Sequence, residues 1–207
     1  MESVAFKSSK LADIRGLTHS QVVFVLPFID NDLALKTADV LKRRALNDGL
    51  LVLVDDDLRI GFIQVANMIF SRSNSLYFGY LAQDAFPGEG WLRCGIDVLN
   101  KSGANLLAFN DGRFYGNIAA FGLVRRSWPQ SIYRNCLFYP GYKSHFGDTE
   151  LSVLALSDQK LVFSPKCVLI EVDYEKHLHG NNPADDALYR ERARTGFNGL
   201  VAPFEPN

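Results

Sequence analysis

Uninterrupted apolar runs of strand length alternate with helix-period patterns along this chain, and most of the runs close on a polar cluster. Val22-Val23-Phe24-Val25-Leu26 is β-branched and aromatic, apolar at every position and stopped by Pro27, so it reads as a strand buried on both faces. Helical spacing follows from Leu33 to Asn47 through Ala34, Ala38, Leu41 and Ala45, and ends at Asp48-Gly49. Leu50 to Val54 repeats the strand pattern, Ile60 to Phe70 fits a helix, and Leu76 to Ala82 is a third strand. Beyond the turn Pro87-Gly88-Glu89-Gly90 a helix is expected over Trp91 to Lys101, with Gly103 as its stop. Strands are then expected at Ala104 to Phe109 and Ile118 to Val124, and a helix near Asp148. Late strands at Leu161 to Phe163 and Val168 to Val172 precede a helix that Asn182-Pro183 starts and Gly196 ends.

Strand–helix–strand alternation predicts a mostly parallel sheet covered on both faces. Ligands of such sheets bind outside the carboxyl ends of the strands. Polar clusters stand at three of those ends: Asp30-Asn31, Asp55-Asp56-Asp57 and Gln83-Asp84. With 207 residues, 47% of them apolar, the chain suffices for one well-buried core. A net charge of −1 gives no electrostatic case for nucleic acid or an anionic membrane. The opening MESVAFKSSK has no apolar core of signal-peptide length, and the run Val22 to Ile29 is too short to span a bilayer. Cys94, Cys136 and Cys167 are odd in number and widely spaced, which predicts buried reduced thiols. A cytoplasmic setting is expected, at most peripheral to the inner face of a membrane.

Motifs for a dinucleotide cradle, a P-loop or a nucleophile elbow are absent from the sequence. Asp55, directly after a buried strand, can accept hydrogen bonds from a nucleobase edge or simply close a turn. Asp84 can ligate a hard divalent cation that bridges a diphosphate, or serve a turn. Asp148, at a helix start, reads as an N-cap, as a general base for an attacking hydroxyl, or as both. His177 and His179 could present two imidazoles to a metal, or stand in a solvated loop. The aromatic stretch ending Phe138-Tyr139-Pro140-Gly141-Tyr142, with Lys143 and His145, offers a wall for a sugar or ordinary core packing.

In order and spacing, these clusters resemble the family-2 type of glycosyltransferase with the GT-A fold, from Gln21 to Leu200. Val22 through Asn31 is similar to that family's opening strand and proline-then-polar loop. Leu51 to Asp56 is similar to its second strand with the paired acids that recognise the nucleoside. Gly61 to Asn67 resembles its glycine, alanine and asparagine segment beside the nucleotide. Leu81 to Leu92 resembles the metal-binding aspartate motif with the proline and Trp-Leu that follow. Gly147-Asp148-Thr149-Glu150-Leu151 is similar to the helix start that supplies the catalytic base, and Leu169 to Tyr174 with Asn182 to Tyr189 to the tail after the last strand. The chain departs from the pattern at Ala82, where the family has the first aspartate of its metal motif, and at Gly147, where it has glutamate. It departs again near Val172 and Tyr174, where the family often has a histidine.

The resemblance implies an α/β fold of GT-A (Rossmann-like) type, with a mostly parallel, mixed central sheet flanked by helices in one domain over 1–207. Its N-terminal half would bind a nucleotide-sugar donor through Pro27, Asp30, Asn31, Asp55, Asp56, Gly61, Asn67, Gln83 and Asp84. Its C-terminal half would bind a glycan or glycolipid acceptor and supply Asp148 as the base; Trp91, Asp111, Tyr142 and His145 would contact the acceptor, with Asn110-Asp111-Gly112 a competing diphosphate or acceptor contact. Mn²⁺ or Mg²⁺ would be held by Asp84, with Asp173 or His177 replacing the missing ligand. The implied activity is inverting glycosyl transfer in polysaccharide or glycoconjugate synthesis, alone or within a larger biosynthetic assembly. Two other readings share the architecture: a catalytically silent binding or scaffold module, suggested by the eroded metal motif, and a sugar nucleotidyltransferase. The second wants a glycine-rich, basic loop after the first strand, and Pro27 to Asp32 is acidic.

Overall fold

The computed structural model describes residues 1–172 and 180–206. In chain order its elements are β1 (Glu2–Lys7), a 3-10 helix (Ser8–Asp13), β2 (Leu17–Thr18), β3 (Val22–Phe28), α1 (Asn31–Arg44), β4 (Leu50–Asp55) and α2 (Phe62–Arg72). There follow β5 (Ser73–Asn74), β6 (Tyr77–Tyr80), β7 (Ala85–Pro87), α3 (Trp91–Ser102), β8 (Leu106–Asn110), β9 (Gly122–Arg125) and α4 (Ser127–Tyr133). The chain continues through α5 (Gly147–Ser157), β10 (Leu161–Glu171), α6 (Pro183–Arg194) and a short α7 (Gly196–Gly199).

One sheet of order β1-β4-β3-β6-β9-β8-β10-β7 organises the molecule, and β2 pairs with β5 beside it. Every strand of the large sheet runs the same way except β9 and β7, which pair antiparallel with their neighbours. The mostly parallel, mixed sheet expected from the sequence is present.

Continuous apolar strands form here because successive side chains point to opposite faces and both faces are covered. Val22, Phe24 and Leu26 with Leu51 and Leu53 face α1 and α3, which bury Ala34, Ala38, Leu41, Trp91, Leu92, Ile96 and Leu99. Val23, Val25, Val52 and Val54 face the other way, onto α2 and α5 with Ile63, Ala66, Ile69, Phe70, Leu151, Leu154 and Ala155. Burying such aliphatic side chains is worth about 1.5–3 kcal/mol each, so this double-sided layer dominates stability.

Several boundaries differ from the sequence reading for identifiable reasons. The two late strands are one strand, β10, whose pairing with β8 shifts register between Phe163 and Val168. The strand expected from Ile118 starts only at Gly122. The edge strand β1 alternates exposed and half-exposed positions, so its sequence lacks a buried run. Asn182 caps α6 as expected, accepting from the Ala184 and Asp185 amides. The expectation of three reduced thiols fails: the topology brings α3 against β10, and Cys94 is bonded to Cys167, with Cα atoms 5.4 Å apart. Cys136 is the free thiol.

Candidate active site at the carboxyl rim of the sheet

Because β1, β4, β3, β6, β8 and β10 are parallel, their carboxyl ends share one rim. Phe28 at the end of β3 is in register with Asp55 at the end of β4, and Lys7 of β1 flanks Asp55 on the other side. The Asp55 carboxylate is half-buried and accepts no hydrogen bond from the described residues. Asp56 donates its backbone N–H to Phe28, and its buried carboxylate accepts the Ile60 and Gly61 amides at 3.0 and 2.9 Å, closing the turn into α2. Gly61 has φ +99°, and a Cβ there would lie 2.5 Å from the Lys143 carbonyl oxygen. Only glycine lets this turn touch the segment that leads to α5. Asp57 accepts from Ser8 Oγ and from Ser9 N and Oγ, and these bonds hold its carboxyl down to about 2.

The neighbouring loops are tied together by Gln83, whose side-chain oxygen accepts the Ile29 and Asp30 amides at 2.8 and 3.0 Å. Its own carbonyl accepts the Thr37 hydroxyl. Asp30 caps α1 by accepting the Leu33 amide, which leaves Asn31 exposed in the first turn. Pro27 is tolerated inside β3 because the β6 pairing has ended at Val25, so its missing N–H breaks no ladder bond there.

On the other half of the rim, the end of β10 joins two loops. Val172 donates its N–H to the Asp84 carbonyl and Glu171 donates to the Asp111 carbonyl, each at 3.1 Å. Asp111 is 2% exposed, and its Oδ1 accepts the Arg113 and Phe114 amides, both at 2.8 Å. Arg113 Nη1 pairs with Glu171 Oε2 at 3.3 Å. A cavity of about 430 Å³ opens beside Asp84 between Leu33, Thr37, Phe86 and Val172.

Asp148 lies in the first turn of α5, with its side chain partly open. It is not the N-cap; that place belongs to Phe146, in the left-handed region at φ +69°. Removal from water pushes the Asp148 carboxyl up to about 6, the nearby charge of Glu171 adds to this, and the Thr149 amide at 2.9 Å opposes it. A carboxyl so poised is half-deprotonated near pH 6 and acts as a base above it.

Of the residues assigned to ligand contact, Trp91, Tyr142 and Asn67 are buried among core residues, and His145 is half-buried beside the start of α6. Trp91 is fully buried between Phe24 and Phe109, and its indole N–H donates to the Leu41 carbonyl at 3.0 Å. It belongs to the apolar stripe of α3, not to an acceptor surface. Tyr142 is also fully buried, and its hydroxyl donates to Glu150. That carboxylate, itself without exposure, accepts two bonds from Arg192 at 2.7 and 2.8 Å and one from Tyr133. Asn67 accepts the Leu137 and Phe138 amides and donates to the Phe138 carbonyl, so its amide anchors that loop in the core. His145 accepts the Asn182 amide on Nδ1, while Asp185 gathers the amides of Lys143, Ser144 and His145. Asp173 and His177 lie outside the described residues. Arg113 and Glu171 were not singled out from the sequence; only the pairing of β10 with the loops after β6 and β8 brings them to the rim.

Among the described residues no group of three or more His, Cys, Asp or Glu side chains assembles that could hold a metal ion. Ala82 offers no side-chain oxygen where the resemblance wants an aspartate, so the described residues do not by themselves complete a divalent-cation site. None of their helices is long and apolar enough to cross a membrane.

The backbone is similar to solved structures that include a mannosyltransferase. The mannosyltransferase PcManGT from Pyrobaculum calidifontis, solved with GDP-Man and Mn²⁺, superimposes with a TM-score of 0.57 at 12% identity over 84% of this chain. This is a GT-A-like fold. S. aureus TarS 1-349 gives a TM-score of 0.53 at 8% identity, covering 86% of this chain and 72% of that one. The chain spans 61% of the length of the mannosyltransferase, and both likenesses are of fold. No family model and no curated protein matches the sequence.

Proposed function

We propose that this GT-A-like protein is an inverting glycosyltransferase of family-2 type, moving a sugar from a nucleoside-diphosphate donor to an acceptor hydroxyl. The observation that supports this best is the placing of Asp148: a desolvated carboxyl near pKa 6 joins a rim where Asp30, Asp55, Asp84 and Asp111 close the parallel strands. The N-terminal half is the donor side. Asp55, with an unengaged carboxylate, would accept from the base or ribose, and the backbone turn that Asp56 closes would set the floor of the pocket. The C-terminal half is the acceptor side, with a glycan or glycolipid as the acceptor class.

Chemically, the reaction is one displacement. The acceptor oxygen attacks the anomeric carbon while Asp148 takes its proton. The anomeric carbon–oxygen bond breaks, its electron pair leaves with the diphosphate, and configuration inverts. The developing positive charge on the sugar is that of glycosidic chemistry generally. Holding the hydroxyl in line would supply much of the acceleration. The mannosyltransferase neighbour was solved with Mn²⁺, and a divalent ion bound near Asp84 would neutralise diphosphate charge. Asp173 and His177 are the proposed further ligands.

The test is release of nucleoside diphosphate from a panel of nucleotide sugars, by hydrolysis or by transfer to added glycans and glycolipids. Turnover of one donor, abolished in Asp148→Asn, supports the proposal. Binding of a nucleotide sugar without any turnover would instead make the protein a silent module of the same fold.

A further inference from the structure

A diphosphate leaving group needs positive charge beside it, and the described rim is rich in carboxylates but poor in cations. Lys7 stands beside Asp55 and Lys36 lines the cavity at Asp84; Arg113 is the guanidinium paired at the end of β10. The tight turn Asn110-Asp111-Gly112-Arg113 fixes its backbone: buried Asp111 accepts the Arg113 amide at 2.8 Å. Gly112 takes φ +77°, and a Cβ there would crowd Ile170 at 3.3 Å, so the turn lies against β10. The guanidinium stacks over the Phe114 ring, 4.9 Å from its centroid, and half of the side chain stays exposed. Only Nη1 is engaged, with Glu171 at 3.3 Å; Nε and Nη2 have no hydrogen-bond partner among the described residues. Glu171 is followed by Val172, which is bonded to the Asp84 backbone. The partner of the guanidinium, Glu171, is therefore next in the chain to the residue bonded to Asp84, where the resemblance places a metal-supported diphosphate.

The geometry points to Arg113 as a diphosphate-binding residue that presents its two unengaged N–H edges to phosphate oxygens of the donor. This rests on the glycosyl-transfer reading above. A guanidinium matches phosphate oxygens in a planar fork and stays charged at every working pH. The Arg113 side of its ion pair with Glu171 is half-exposed, whereas Glu171 is nearly buried, so a bound diphosphate can reach the guanidinium from solvent.

The experiment measures binding of UDP, GDP, CDP and dTDP by calorimetry, in EDTA and again in Mn²⁺, to wild type, Arg113→Ala, Arg113→Lys and Arg43→Ala. Arg43 removes the same charge from the exposed face of α1. Arg113→Ala is expected to weaken the preferred nucleoside diphosphate about ten- to a hundred-fold, the usual worth of a charged hydrogen bond, with Arg113→Lys between and Arg43→Ala near wild type. The matching nucleoside, followed by ligand-observed NMR, should bind Arg113→Ala as it binds wild type. Unchanged diphosphate affinity in Arg113→Ala, or an equal loss for the nucleoside, overturns the inference while the glycosyl-transfer reading stands. A wild-type protein that binds no nucleoside diphosphate in either buffer overturns that reading, and this inference with it.

Discussion

Replacing Asp148 by Asn should move activity and stability in opposite directions. The wild-type carboxyl is raised from 3.8 to about 6 by desolvation, so the folded state keeps its proton where the unfolded chain has lost it. Between about pH 4 and pH 6 the native state binds more protons than the unfolded state, and wild-type stability falls as pH rises through that window. Above it the deficit is constant. A shift of this size corresponds to at most about 3 kcal/mol, and the partly open side chain of Asp148 reduces it to roughly 1–2 kcal/mol. Asn carries no charge to desolvate, and its side-chain oxygen can still accept the Thr149 amide. Urea denaturation of the two proteins should therefore coincide near pH 4 and separate by about 1–2 kcal/mol in favour of Asp148→Asn at pH 7.5. Turnover at pH 7.5 should fall about 10²–10⁴-fold, and wild-type turnover should rise with pH through about 6. A variant equal to or less stable than wild type at pH 7.5, or one with full activity, would refute the reasoning.

Arg192→Ala should be among the most damaging single changes away from the rim. It leaves Glu150, which has no solvent exposure, without its counter-charge, at a cost of about 3–5 kcal/mol by chemical denaturation; a loss below 1 kcal/mol would mean that the Tyr133 and Tyr142 hydroxyls suffice. Cys94–Cys167 spans 73 residues of sequence, and loop closure of that length is worth about 4 kcal/mol. Reduction should lower Tm by roughly 10 °C, and a Cys94→Ser variant should show the lower value with or without reductant. A Tm indifferent to reductant would count against the bond.

What the sequence disclosed and what it concealed follow from the range of the interactions. β3 and β4 were legible because strands covered on both faces must be apolar at every position. β1 was not, since an edge strand with one open side has no such run. Asp30 and Asp55 could be placed because Asp55 ends its strand and Asp30 comes two residues after the end of its own. Arg113 and Glu171 could not, because their meeting depends on β10 returning beside β8 and against β7. Trp91 was drawn toward ligand contact by a local motif, although its spacing with Leu92, Ile96 and Leu99 already describes a buried helix face. Tyr142 gave no comparable warning; its burial is decided by Glu150 and Arg192, the latter 42 residues further along the sequence from its partner. The same distance problem hid the pairing of Cys94 with Cys167.

Hydrogen exchange with and without the best nucleotide sugar from the panel addresses the donor rim itself. Protection is expected in the amides that end β3, β4 and β6 and in the turn after β8, around residues 29–31, 55–61, 83–85 and 111–114, with the opposite edge of the sheet unchanged. Protection confined to that opposite edge, or to the β2–β5 pair, would contradict the account.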